Sequence, residues 1–364
     1  MHQILCRVIV NYFHQLKARL PFPIMRERCL RHGLPTARGW DKLQDKLEEE
    51  VLADAQRAVE INSVIEQIFR ETITLGPRGV QVFRLPEELS ENICTYLANL
   101  RTEQTSYLAD YPRPLSEAQL RDAPAGYFLS DIQNSNSATT LVFCSRRLIE
   151  ERESRSRSQM GDTAINNFGW QDYDEFVLIK RRNIQCFEVV RVDKERKLVE
   201  IRVEMHAGGD VAVALNDLKS KVNVFLAARF GVEVQLINAL NLFPAIQPLY
   251  ADSSEGIVVE LGFTTATGSA KHEKMRASGA DLRNETYHVG GKAAISGAIT
   301  PFRVAVRWNG EGEHAVEEVL LPGSIRQLGA ATPYLDHMEI TGVASEARME
   351  ALFGKVVSHI PSDA

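Results

Sequence analysis

Apolar residues recur at helical spacing from the start of the chain. Ile4, Leu5, Val8, Ile9, Tyr12, Phe13 and Leu16 predict a helix over residues 3–19, which Pro21 and Pro23 end. A short helix is expected over 24–31, closed by Gly33, with Gly33-Leu34-Pro35 turning the chain. Residues 40–71 contain neither Gly nor Pro, and Leu43, Leu47, Val51, Ala55, Ala58, Ile61, Ile65 and Ile68 trace one apolar stripe. That pattern predicts a single helix of roughly 45 Å. The short helices before it are too small to cover it all, so the remainder is expected to pack on the body of the protein, or else on a second copy. Gly76-Pro77-Arg78-Gly79 breaks the period and precedes the strand-like Val80-Gln81-Val82-Phe83, which places a module junction there.

Beyond the junction the period changes. A helix is predicted over 86–109, then a proline-containing loop over 111–124. Strands are predicted over 139–144, 175–180, 184–192 and 197–205, with Asp193-Lys194-Glu195-Arg196 as a hairpin turn. In the last of these, Leu198, Glu200 and Arg202 alternate with Val199, Ile201 and Val203, which predicts one wet and one dry face. Residues 146–162, rich in Arg, Glu and Ser, read as a mobile loop or solvated helix. Helices follow over 210–229, capped by Gly231, and near 237–250. A second group of strands (257–264, 301–308, 315–321) and a helix over 345–357 complete the chain. The expected fold class is α+β, an all-α N-terminal module followed by a mixed, mostly antiparallel sheet body with covering helices. Its expected division is a basic helical module (1–75), an α/β body with an antiparallel meander (76–250), and a C-terminal α/β part (251–364) packed on the same body.

Composition adds limits. With 364 residues and 44% hydrophobic content the chain can bury a full core. Five scattered cysteines with no Cys-x-x-Cys pair argue against a disulfide framework or structural zinc and for a reducing compartment, cytoplasmic or nucleoid/nuclear. Residues 1–26 carry basic residues and no acid, the pattern of an organelle presequence as well as of an ordinary amphipathic helix. The apolar run 211–228 is interrupted by Asp217, Lys219 and Lys221, so no membrane span is expected. Charge is segregated: residues 1–47 hold nine Lys or Arg against three acids, a balance of +6, which leaves −12 for the remainder of a chain whose total is −6. A local positive field of that kind attracts polyanions whatever the net charge.

Within the basic segment, apolar Ile24 and Cys29, the Gly33-Leu34 turn, and Leu43 and Leu47 stand at the spacing of a known module. The stretch resembles the SAP motif, a helix-extension-helix unit that binds DNA, although Gly39 sits one residue late and Trp40 stands where the family has lysine. The resemblance covers about a tenth of the chain. It implies phosphate contacts from Arg26, Arg31, Arg38, Lys42 and Lys46. In layout alone, a helical module ahead of an α/β sheet body, the chain is similar to the centromere protein N family of kinetochore proteins, with no shared motif behind the analogy.

Two other places are candidates. Lys180-Arg181-Arg182, expected on a hairpin between strands, offers further backbone contacts. Residues 264–287 follow an apolar strand with a polar, glycine-containing segment in which Lys271, His272, Lys274 and Arg276 suggest an anion-binding loop. Nucleotide-loop, nucleophile-elbow and zinc-protease signatures are absent, and no cofactor or bound metal is implied. His206, His272, His288, His314 and His337 are singly placed, and an acid/base or metal site would need distant residues such as Glu260, Lys271, His272 and His288. The function these features favour is a non-enzymatic, nucleic-acid-associated binding protein. One alternative is an enzyme, a nuclease or other phosphate-ester hydrolase using residues 264–288. The other is a dimerising or scaffold protein, which would leave the 40–71 stripe uncovered.

Overall fold

The computed structural model describes residues 2–206, 209–276, 279–295, 297–310 and 316–361. Four helices come first: α1 (His2–Lys17), α2 (Phe22–Arg31), α3 (Trp40–Ala53) and α4 (Ala55–Leu75). Strand β1 (Arg78–Arg84) is followed by α5 (Ser90–Ala98), α6 (Ser106–Asp110) and α7 (Glu117–Asp122). A meander comes next, β2 (Tyr127–Asn134), β3 (Ala138–Ser156), β4 (Glu175–Asp193) and β5 (Leu198–Glu204), with short α8 (Arg157–Met160) and α9 (Asp162–Phe168) between β3 and β4. Then come α10 (Val211–Phe230), α11 (Ile246–Ala251), β6 (Ile257–Thr264), β7 (Ala270–Lys274), α12 (Thr286–Ala294), β8 (Thr300–Asn309), β9 (Val316–Leu321), α13 (Ile325–Leu328), β10 (Met338–Thr341) and α14 (Glu346–Val357).

All ten strands join one sheet in the order β2-β3-β4-β5-β1-β10-β9-β8-β6-β7, and every pairing is antiparallel. The chain is therefore α+β with its helical module first, as its pattern predicts. Because β1 pairs with both β5 and β10, the meander and the C-terminal strands form one continuous surface. Gly79 in β1 is required by packing, since a Cβ there would lie 2.2 Å from Val211 Cγ1 at the start of α10. Among the described residues no helix is long and apolar enough to cross a membrane. All five cysteines are free.

Several predicted elements differ from those observed. The single helix over 40–71 is two, because Asp54 adopts an extended conformation (φ −141°, ψ 126°) and its carboxylate accepts from the N–H groups of Gln56 and Arg57 as the N-cap of α4. Its stripe is covered: Leu43, Leu47, Val51, Ala58, Ile61, Ile65 and Ile68 are buried, Ala55 at the break is half-buried, and Phe69 meets Phe187 of β4 edge-on at 5.5 Å. The helix over 86–109 stops at Ala98, after which Glu103 exchanges bonds with Leu129 of β2. The polar segment 146–162 is no loop. Through Ser156 it continues β3, paired residue for residue with β4, as an antiparallel ribbon that β2 and β5 do not flank. Its alternating charges pair across the ribbon, Arg181 with Glu150 at 3.0 Å and Arg182 with Glu151 at 2.7 Å. Lys180, Arg181 and Arg182 consequently lie in mid-strand and not on a hairpin turn. Strands β2, β7 and β10, and helix α12 within the segment taken for a loop, are additions. His314 and Ala315 lie outside the described residues.

The largest departure concerns β5. All seven of its residues are buried, including Glu200, Arg202 and Glu204, so neither face is wet. On the side covered by α1, α4 and α14, Arg202 holds Glu200 and Glu346, each at 2.6 Å. Arg191 of β4 reaches Glu200, Glu346 and Glu350. Arg19, just after α1, grips Glu204 with two donors at 3.0 Å and gives a third bond to Gln185 O. Arg78, fully buried, stands 3.6 Å from Glu204 and 4.0 Å from Glu188. Burial alone would raise the carboxyl of Glu204, but Arg19, His206 and Arg78 outweigh it and hold the group well below the usual range. Glu346 is lowered likewise, its burial overcome by Arg202 and Arg191.

Removing one arginine strands buried carboxylates, so Arg202→Met should destabilise the protein by about 3–5 kcal/mol in urea unfolding, and an unchanged midpoint would refute the role given to this lattice. Because the folded carboxyls titrate below their unfolded value of 4.5, their stabilisation is complete above that pH and is lost as pH falls. Thermal scans should therefore show a flat melting temperature from neutral pH to about pH 5 and a steep decline below about pH 4.5.

Candidate nucleic-acid interface

Helix α2 begins behind Pro21, with Pro23 in its first turn where a missing N–H is harmless. It ends at Gly33, whose φ of +66° lets the chain reverse, with Leu34 N–H returning to Cys29 O at 2.9 Å. Residues 34–39 then run without regular structure to the start of α3. Buried Ile24, Cys29, Leu34, Leu43 and Leu47 pin the two helices together.

Basic residues fill the outer side of this unit. A groove of about 650 Å³ is bordered by Arg26 of α2, Arg38 of the connecting segment, and Lys42 and Lys46 of α3. The two lysines are one helical turn apart and so share a face. Phe22 lines the groove and packs edge-on against Trp40 at 5.7 Å. Lys46 Nζ donates to Thr36 O at 2.9 Å, tying the connecting segment to α3. None of the residues lining the groove is acidic, and among the described residues none of the four cations forms an ion pair. Three acids adjoin these cations in sequence: Asp41 is engaged by Lys17 at 2.9 Å, which holds its carboxyl below the usual range, Glu27 pairs with Arg31, and Asp45 is exposed on α3.

The other N-terminal cations are accounted for elsewhere. Arg31 pairs with Glu27 at 2.6 Å. Arg28 is buried, donates to Ile68 O, Thr72 Oγ1 and Ala344 O, and loses some basicity to that burial. Arg19 belongs to the buried lattice, and Arg7 is exposed on α1. Of the five residues proposed from the SAP-like pattern, four therefore meet at one surface and Arg31 does not. Phe22 and Thr36 were missed, because neither an aromatic next to a proline nor a lone threonine marks a groove in sequence.

The second basic cluster is largely compensated. Lys180 and Arg182 border another groove, between α1 and β4, that also contains Glu117 and Glu151, and both Arg181 and Arg182 are paired. The residues proposed for an anion-binding loop lie on and after the edge strand β7. His272 and Lys274 turn to one face, where Glu260 takes them at 3.0 and 2.7 Å together with Arg303 at 2.5 Å. Burial opposes ionisation of Glu260, yet these three partners bring its carboxyl down to about 2. Lys271 and Glu273 pair in register with Phe263 and Leu261 and so point to the opposite face. Arg276 follows the strand and is exposed. Glu260 and His288 accordingly stand on opposite sides of the sheet, since His288 binds Glu273, and the dispersed set Glu260, Lys271, His272 and His288 does not converge.

Among the described residues one group of metal-ligating types lies within 4.8 Å, Cys186, Glu204 and His206. Its chemistry suits a cation poorly. Both Glu204 oxygens are taken by Arg19, His206 Nε2 bonds to the same carboxylate at 2.8 Å, and burial keeps the Cys186 thiol protonated well above its ordinary range. Arg78 and Arg147 add positive charge beside it. Neither EDTA nor added zinc should therefore move the melting temperature, a result readable by differential scanning fluorimetry; stabilisation by zinc would contradict this account.

No protein-family model and no curated protein matches the chain.

Proposed function

We propose that this protein binds nucleic acid through its N-terminal module, gripping the phosphate backbone in the groove between α2 and α3. The observation that carries the reading is the convergence of Arg26, Arg38, Lys42 and Lys46 on one acid-free groove without ion-pair partners among the described residues. A fixed cluster of uncompensated cations displaces condensed counterions from a polyanion, and the entropy so released drives binding without regard to base sequence. The resemblance of this stretch to the SAP motif points the same way. Of the set named for the enzyme alternative, Glu260, Lys271, His272 and His288 do not converge, although Glu260 does gather His272 and Lys274, and Glu273 and His288 are joined to Lys292 through Tyr250. The scaffold alternative loses its expected sign on α3 and α4 but gains another, because Leu148, Val177 and Ile179 on the β3–β4 ribbon and Phe168 and Tyr173 at its tip are exposed.

Fluorescence anisotropy with labelled duplexes of unrelated sequence tests the reading on the full chain. Removal of the N-terminal helices is unsuitable, since Arg19 and α4 are built into the core. The variant R26Q/R38Q/K42Q/K46Q, altered only at the groove, should bind duplex DNA more weakly, and the slope of log K against log salt should shrink by roughly 3.5 if each cation neutralises one phosphate. Equal affinity and slope for variant and wild type would end the proposal.

A further inference from the structure

Far from the basic groove, a chain of hydrogen bonds runs through the C-terminal part. Lys292 Nζ lies 2.6 Å from Tyr250 OH, which lies 2.9 Å from His288 Nε2, whose Nδ1 lies 2.6 Å from Glu273 Oε2. Tyr250 and His288 are buried, while Lys292 is exposed. The donors set the direction of the chain. An ammonium only donates, so the Tyr250 oxygen accepts from Lys292, and with the imidazole hydrogen on Nδ1 the chain would continue from the tyrosine hydroxyl to His288 Nε2 and from Nδ1–H to Glu273. The imidazole is held in place by its backbone as well, since Glu285 caps α12 by accepting from His288 N–H at 2.8 Å.

The outer end of this chain opens on a cleft of about 410 Å³ between α11 and the segment following α12. Two cations border it, and they differ in one respect. Arg283 is bound by Asp281 at 2.6 Å and spends its remaining donors on the Asp252 and Gly256 carbonyls, so its charge is matched. Lys292 has no carboxylate partner among the described residues. Its ammonium sits 5.0 Å from the centre of the Tyr250 ring and is aimed by the tyrosine hydroxyl, both neutral groups. A surface lysine ordinarily sweeps freely through solvent. Here one bond of three fixes it, and two N–H donors remain beside a cleft that also offers Ser253 and the apolar Ile295 and Ile299.

We propose that this cleft is a binding site for a small oxyanion, with Lys292 supplying the charge and Tyr250, His288 and Glu273 acting as positioning residues that hold the ammonium toward the ligand. An oxyanion accepts the two remaining Lys292 hydrogens, and the site needs no neutralising carboxylate because the ligand provides it. The isoleucines favour an anion bearing a short apolar group over a bare ion. This site owes nothing to the nucleic-acid reading.

Methyl-labelled NMR of Ile295 and Ile299 in the full chain reads the cleft locally, so anions collecting in the N-terminal groove do not interfere. Inorganic phosphate and acetate are titrated separately, with sodium chloride as the ionic-strength control. At least one should give a saturable shift with a dissociation constant on the order of 1 mM, and which one saturates identifies the preferred head group. Lys292→Met should weaken that binding at least about tenfold, and Tyr250→Phe about threefold, with the isoleucine spectra confirming that both variants are folded. The proposal is overturned if neither anion saturates beyond the chloride control, if K292M binds as tightly as wild type, or if Y250F leaves the affinity untouched.

Discussion

The arginine–glutamate lattice beneath α1, α4 and α14 is the constraint on which the rest of the structure depends. Hydrophobic contact is tolerant of sliding, since one aliphatic neighbour serves nearly as well as another. Buried ion pairs are not tolerant, because a guanidinium displaced by an ångström or two leaves a carboxylate both desolvated and alone. Arg19 clasping Glu204 therefore fixes where the N-terminal helices sit on the sheet, and Arg202 and Arg191 do the same for α14. Helices from opposite ends of the chain are thus keyed to β4 and β5 on one side of the sheet.

That keying sorts the basic residues of the N-terminal module into two populations. Arg19 and Arg28 point inward, where Glu204 and the carbonyls of Ile68 and Ala344 receive them, and their charge is spent on the fold. Arg26, Arg38, Lys42 and Lys46 point outward around one groove. The same logic separates Arg283 from Lys292 in the C-terminal cleft: one is matched by Asp281, the other is aimed by neutral groups and left with its charge. In both regions the informative property of a cation is whether the fold has already supplied its counter-charge.

Much of the architecture was legible from periodicity. Helices α1, α2, α10 and α14 and strands β6, β8 and β9 follow from apolar spacing and from Pro and Gly at their ends, because local sterics and burial of one face suffice to specify them. Errors cluster where charge stood in for water. The ribbon 146–156 is largely exposed, as its composition suggests, but reads as a loop or helix when its Arg and Glu residues are seen without their cross-strand partners some thirty positions away. Glu200 and Arg202 looked like part of a wet face for the same reason, since Arg191 and Glu346, which meet them, lie on β4 and α14. The break at Asp54 is different in kind, a local cap that an uninterrupted apolar stripe concealed.

The placing of the helical segment ahead of the strands, the antiparallel character of the sheet and the surplus of positive charge in the N-terminal residues were written in the linear chain, since each follows from interactions between near neighbours or from a simple count. The direction in which each charge points was not. Whether an arginine faces a distant glutamate or open solvent depends on contacts between residues far apart in the chain, 185 positions for Arg19 and Glu204. Such pairings exist only after the sheet has brought those segments together, which is why the tertiary structure alone separated the charges that hold this protein from those it presents.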